Sequence, residues 1–156
     1  MSPSEASAAT THALNAGYRA IDSAQMYANE AAVGKSILAW LKRHPDVKRE
    51  DVHYTTKLAR NGSYAEVKRS VAESVRVCGL GYVDLFLLHS PYGGKKARLE
   101  SWRALEDAVA EGSVRSIGVS NFGEKHVSPT LHTINLSAAT TTLTTTRPPT
   151  HPLTIT

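Results

Sequence analysis

Four ionisable side chains stand at or just beyond the ends of short strand-like runs, two of which, those ending at Asp22 and His89, are apolar. Asp22 and Tyr27 lie in GYRAIDSAQMY (17–27), Lys57 in DVHYTTKL (51–58) and His89 in VDLFLLHSP (83–91). A buried strand gains nothing from such an ending, because an unpaired polar group at its tip costs free energy. Taken together, the four suit proton donation to an oxygen on which negative charge develops. A phenol titrates near ~10 and is a poor proton donor at neutral pH. A neighbouring ammonium favours the phenolate and makes the proton easier to give. Lys57 would be that ammonium, with Asp22 to hold and compensate it. Tyr27 would give the proton, and His89 would add a second hydrogen bond to the same oxygen. Ser120 and Asn121 in SIGVSNF (116–122) offer polar groups suited to an amide, such as the carboxamide of a nicotinamide ring. The set fits polar reduction of a carbonyl, with hydride from a cofactor and the proton from the protein.

Each residue alone has a plainer explanation. Asp22 could cap a helix, Lys57 could be solvated, and a lone histidine is more often structural than catalytic. The coincidence of the four positions carries the functional reading. Rival chemistries are thinner. His53, His89 and Asp22 lack the spacing of a closed metal-ligand cluster. Ser90 directly follows His89, so it is badly placed as that histidine's nucleophile, and no GxSxG is present.

The elements that must position these residues alternate along the chain. YRAIDS (18–23) predicts a short strand, followed by a helix from about Asn29 to Arg43. On that helix Val33, Ile37 and Leu41 recur on one face, and His44–Pro45 closes it. DVHYTTKL predicts a second strand, rich in β-branched and aromatic residues. Asn61–Gly62 turns the chain into a helix from about Tyr64 to Cys78, lined by Val67, Val71, Val75 and Cys78. VDLFLLH (83–89) is the apolar run of a strand covered on both faces. A helix from roughly Leu99 to Glu111 follows, with Leu99, Trp102, Leu105 and Val109 as its stripe and Gly112 at its C-terminal cap. VRSIGVS (114–120) is the fourth strand.

Strands alternating with helices of this length imply right-handed crossovers in a parallel sheet. A doubly wound sheet and a (β/α) barrel are the two common solutions. The first strand ends IDSAQMY with no GxGxxG, which weakens the nucleotide-binding doubly wound choice. In either fold, polar residues at the C-terminal ends of consecutive strands meet at one rim.

Bulk properties bound the remaining possibilities. At 156 residues, 41% hydrophobic and 21% charged, the chain has the composition of one soluble globular domain. No apolar stretch approaches the ~18 residues of a membrane span. MSPSEASAATTHAL lacks the basic start and apolar centre of a secretory signal. Cys78 is the single cysteine, which excludes an internal disulfide and fits a reducing compartment. The net charge of +4 is carried by stretches with interleaved acids, such as KRHPDVKRED and EVKRSVAESVR, which read as solvated helix faces. No basic stripe carries the regular aromatics of a nucleic-acid surface. The expected organisation is a flexible N-terminus over 1–12, a domain over 13–137 and a disordered threonine- and proline-rich tail over 138–156.

Several of these stretches resemble the aldo-keto reductase family. GYRAIDSAQMYANEAAVG (17–34) is similar to the family signature around its catalytic aspartate and tyrosine. YTTKL (54–58) resembles the strand bearing its lysine, VDLFLLHSP the strand bearing its histidine, and SIGVSNF the segment touching the nicotinamide. The resemblance covers roughly residues 13–125. It implies Asp22, Tyr27, Lys57 and His89 as the catalytic tetrad, with Ser120 and Asn121 at the cofactor amide. It further implies NADPH/NADP as cofactor, a small aldehyde or ketone as substrate, a cytoplasmic location and no nucleic-acid or membrane partner. The implied fold is an α/β partial (β/α)8 TIM barrel of about four βα units, lacking the first and the later strands.

Two features depart from the family pattern. No hairpin and first strand are visible before Ala13, and no Asn-Gln-x-Glu segment follows SNFGEKH. A full barrel takes about 250 residues. A part-barrel exposes strand edges and an apolar inner face, so self-association through those edges is expected. A second reading follows: a truncated, catalytically inactive fragment acting at most as an interaction or structural protein.

Overall fold

A computed structural model describes residues 1–124 and 126 of the chain. The expected tail over 138–156, and the domain boundary before it, lie outside the described residues.

Helix α1 spans Pro3–Asn15. The stretch expected to be flexible over 1–12 is therefore helical from Pro3 onward. The reason is local and is present in the sequence as Ser2-x-x-Glu5. The Ser2 hydroxyl accepts from the Glu5 N–H, and the Glu5 carboxylate accepts from the Ser2 N–H at 2.7 Å. This reciprocal capping satisfies two otherwise orphaned donors, and Pro3 occupies a position where its missing N–H is not needed. Ala6, Thr10, Ala13 and Leu14 form the buried side of α1, which packs on the second helix. There the Ser7 and Ser36 hydroxyls meet at 2.6 Å, and the Trp40 indole N–H donates to Asn15 Oδ1 at 2.8 Å.

The remaining elements follow as β1 (Ala20–Asp22), α2 (Glu30–Arg43), β2 (His53–Leu58), α3 (Tyr64–Cys78), β3 (Val83–Leu88), α4 (Gly94–Ala110) and β4 (Val114–Val119). The four strands form one parallel sheet in chain order, β1-β2-β3-β4. Helix α4 starts at Gly94 rather than Leu99, because Gly93 supplies a left-handed turn (φ +96°) immediately before it. The first turns, GKKAR, carry no apolar period by which a sequence could announce them. β2 begins at His53 rather than Asp51, since Arg49–Asp51 form a short 3-10 turn.

Alternation sorts each strand into two faces. The face under the helices carries Tyr54, Thr56, Leu58, Phe86, Leu88 and Ile117, all almost fully buried. The opposite face carries Asp22, Thr55 and Lys57 beside Leu85, Leu87 and Ser116. Helices α2 and α3 touch at backbone distance. A Cβ on Gly34 would meet the Cys78 carbonyl oxygen at 1.9 Å, so only glycine permits this approach.

The N-terminal end of the sheet is tied by Arg49. Its guanidinium donates to the carbonyls of Val52 (2.5 Å), Leu80 (3.2 Å) and Tyr82 (2.9 Å), and to Asp84 Oδ2 (2.8 Å). Asp84 in turn accepts the Tyr54 N–H at 2.9 Å. The other end of the sheet carries the polar residues of interest.

Candidate active site

Asp22 lies opposite Thr55 in the β1–β2 register, so Lys57 is the next same-face position on β2. That offset brings the two side chains together. The Lys57 ammonium is ion-paired with Asp22 Oδ1 and also donates to the Ser23 carbonyl at 3.1 Å. Lys57 is only 7% exposed. A buried ammonium is tolerable because its charge is matched and its protons have acceptors.

Beyond β1 the chain tightens at once. The Ser23 N–H donates to the Thr55 carbonyl at 2.8 Å, prolonging the pairing. Its hydroxyl donates to Asn29 Oδ1 at 2.7 Å, with both residues buried. Between them, Gln25–Tyr27 form a single 3-10 turn. Tyr27 N–H bonds to the Ala24 carbonyl at 2.9 Å, Ala28 N–H to the Gln25 carbonyl at 3.2 Å, and Ala28 turns left-handed at φ +52°.

This turn folds Tyr27 back over the ion pair. Lys57 Nζ lies 5.1 Å from the centroid of the Tyr27 ring, a favourable placement for a cation against a π face. The Tyr27 ring meets the His89 ring edge-on, with centroids 5.9 Å apart and an interplanar angle of 83°. His89 follows the last residue of β3. Its Nδ1 is buried and has no hydrogen-bond partner among the described residues. Burial and the Lys57 charge hold its pKa below the ordinary histidine value, with Asp22 pulling weakly the other way. The imidazole is then neutral at neutral pH, with one nitrogen donating and one accepting.

Ser120 and Asn121 complete the rim. The Ser120 N–H donates to the Leu88 carbonyl at 2.8 Å, continuing the β3–β4 pairing. Asn121 adopts φ +61°, a left-handed conformation that asparagine tolerates better than most residues. Its amide N–H groups donate to the His89 carbonyl at 2.8 Å and to Ser120 Oγ at 3.1 Å. Asn121 Oδ1 then remains as an acceptor and the Ser120 hydroxyl as a donor. A primary carboxamide needs one of each, so this donor set fits a nicotinamide amide.

All four expected tetrad positions thus fall at one end of the sheet, with Asp22, Lys57, Tyr27 and His89 in linked contacts. The sequence reading misses the polar layer beneath them. Glu30 is buried at the start of α2, where its carboxylate accepts from Thr56 Oγ1 at 2.6 Å and Ser74 Oγ at 3.3 Å. Burial, the dominant influence, pushes its carboxyl pKa up. Gln25 bridges the turn to α3 and to the end of β2. Glutamate at a helix N-terminus and glutamine in a loop are both ordinary surface choices, so nothing in the sequence marks them. A cavity of about 550 Å³ opens between α1 and β1, lined by Ala6, Ala13, Tyr18, Ile21 and Val33 and reaching Tyr27. No described helix is long and apolar enough to cross a membrane.

Known proteins are similar to this chain in sequence and in fold. The pattern of the Aldo/keto reductase family matches residues 1–141. An uncharacterized oxidoreductase of Schizosaccharomyces pombe is 55% identical over 115 residues, which are 74% of this chain and 40% of that protein. Morphine 6-dehydrogenase of Pseudomonas putida is 41% identical over 124 residues, 79% of this chain and 40% of that protein. Among solved structures, an aldo/keto reductase from Brucella melitensis superposes with a TM-score of 0.79 at 38% identity, covering 85% of this chain and 50% of its own. A Bombyx mori aldo-keto reductase solved in complex with NADP gives 0.77 at 35% identity, covering 85% and 45%. The chain spans about two fifths of the length of the curated relatives it matches. A family match along most of its length, on a fold that follows part of the family's (β/α)8 barrel, makes this chain a member of the aldo/keto reductase family.

Proposed function

We propose that the chain carries the proton-donating site of an NADPH-dependent, cytoplasmic reductase that converts small aldehydes or ketones to alcohols. The observation that carries the reading is the buried Lys57–Asp22 pair lying against the Tyr27 ring, with His89 edge-on to that ring. The substrate carbonyl oxygen would take hydrogen bonds from the Tyr27 hydroxyl and a His89 ring nitrogen. NADPH, when bound, supplies the hydride that reaches the carbonyl carbon. Ser120 and Asn121 would hold its carboxamide.

The protein's own part is the proton. As negative charge develops on the substrate oxygen, Tyr27 Oη releases its proton to that oxygen and is left as phenolate. The Lys57 ammonium stabilises the phenolate, and Asp22 keeps Lys57 fixed and its charge matched in a partly dry setting. Neutral His89 donates one hydrogen bond to the same oxygen without competing as an acid. Kinship with the Bombyx mori reductase, which was solved in complex with NADP, supports the cofactor choice.

The test is carbonyl-dependent NADPH oxidation by the purified chain with an activated aromatic aldehyde, against a Tyr27→Phe control. Turnover should be present and should fall about 10²- to 10⁴-fold on the substitution. A second reading, an inactive barrel fragment, is favoured by one fact: the matched span is about two fifths of its curated relatives. Soluble, folded chain without turnover would select that reading instead.

A further inference from the structure

Gln25 opens the turn that carries Tyr27, and its side chain ties that turn to two other elements. Its Oε1 accepts the Ala59 N–H at 2.8 Å and the Ser70 hydroxyl at 3.1 Å. Its Nε2 lies within bonding distance of the Ser70 carbonyl (3.1 Å), Ser70 Oγ (2.8 Å) and Ser74 Oγ (2.8 Å). Ala59 is two residues beyond Lys57, and Ser70 and Ser74 lie one turn apart on α3. Ser74 also donates to Glu30, whose other oxygen takes the hydroxyl of Thr56, the neighbour of Lys57. The turn, the end of β2, α2 and α3 are thus joined by one polar network.

The other ties lie at the turn's ends, where buried Ser23 bonds the Thr55 carbonyl and Asn29, and in the contacts of the Tyr27 ring itself. Met26 and Tyr27 are both exposed, at 65% and 39%, and the bonds closing the turn run along its own backbone. Apolar packing therefore holds it weakly. An amide with two donors and two acceptor lone pairs, all engaged, fixes both its position and its rotation.

We infer that Gln25 is a positioning residue that sets where Tyr27 sits relative to Lys57 and His89 by clamping its turn to Ala59 and α3. Its catalytic consequence rests on the reductase reading above. Its structural consequence does not.

Gln25→Met keeps the length of the side chain and removes every bond of the clamp. The experiment compares the His89 ring-proton resonances of the wild type, Gln25→Met and Tyr27→Ala, assigned with His89→Gln. Tyr27→Ala marks the position these resonances take when no aromatic ring lies edge-on. In folded Gln25→Met they should move toward that position. Ser70→Ala, which removes one partner and keeps Gln25, should move them less and serves if Gln25→Met does not fold. Wherever the wild type turns over, Gln25→Met should lower kcat roughly tenfold to a hundredfold with KM for the aldehyde little changed, as expected for misplacement on the order of 1 Å. Resonances held at their wild-type positions in a folded variant would overturn the clamp, whatever the activity. Resonances that move in a chain without turnover would keep the clamp and sink the reductase reading alone.

Discussion

Lys57 and Asp22 form an ion pair on the sheet face turned away from the helices, one same-face step apart across the β1–β2 register. Their side chains are 9% and 22% exposed, so each charge depends on the other more than on water. Removing one partner strands the other. Asp22→Ala should cost about 3 kcal/mol of unfolding free energy, because the ammonium is left buried with the Ser23 carbonyl and the Tyr27 ring but no countercharge. The double variant Asp22→Ala with Lys57→Met should cost clearly less than the sum of the two single changes. Urea denaturation of the four proteins measures this coupling, and strict additivity would contradict the pairing.

His89 links the same site to pH. Its pKa is held below the ordinary 6.5 by burial first and by Lys57 second. The unfolded chain therefore binds a proton there more readily than the folded one. The sign follows: this contribution to stability is complete above about pH 6.5 and is lost as pH falls toward the depressed folded value. Urea midpoints taken between about pH 7 and about pH 5 should fall more steeply for the wild type than for His89→Gln. Parallel profiles would mean that His89 is not held neutral by its surroundings.

Much of this arrangement is legible in the sequence, and the limits have physical causes. Strand ends at Asp22 and His89 are readable because an ionisable group after an apolar run breaks the pattern, and Lys57 because it stands near the end of a β-branched and aromatic run. Parallel order is readable because helices separate the strands. Helix α1 escapes the pattern although Ser2 and Glu5 stand in capping positions, because its buried face is built from alanines, Thr10 and Leu14 and gives little apolar contrast. The Gln25–Ser70–Ser74–Glu30 layer is invisible for a different reason. Its members lie on three elements brought together only by folding, and each residue type is ordinary where it stands. Arg49 is the same case: three of its four acceptors, at Leu80, Tyr82 and Asp84, come from a distant stretch to a residue that reads as one more surface charge.

Gly34 should resist the mildest substitution. In a helix, alanine is favoured over glycine by about 1 kcal/mol. Here the added methyl would fall 1.9 Å from the Cys78 carbonyl oxygen, a backbone atom of α3 that cannot rotate aside. The helices must separate, which outweighs the propensity gain. Gly34→Ala should lower stability by about 1–3 kcal/mol, the usual range for overpacking. A thermal midpoint equal to or above that of the wild type would show that α2 and α3 are not in backbone contact at Gly34.

Asn121 combines a strained backbone with a bond to the residue it must help place, and two substitutions separate the roles. Asn121→Gly relieves the left-handed φ of +61° but releases the His89 carbonyl and Ser120 Oγ. Asn121→Ala loses the same bonds and adds a backbone penalty of about 1 kcal/mol. Stability should therefore fall in the order wild type or Gly first, then Ala, when measured by urea denaturation. The His89 ring-proton resonances should instead move in both variants by similar amounts, since both free its carbonyl. If the alanine protein matched the glycine protein in stability, residue 121 would not be held in the left-handed region. If the resonances moved in neither, the rim of β4 would have no part in holding His89 against Tyr27.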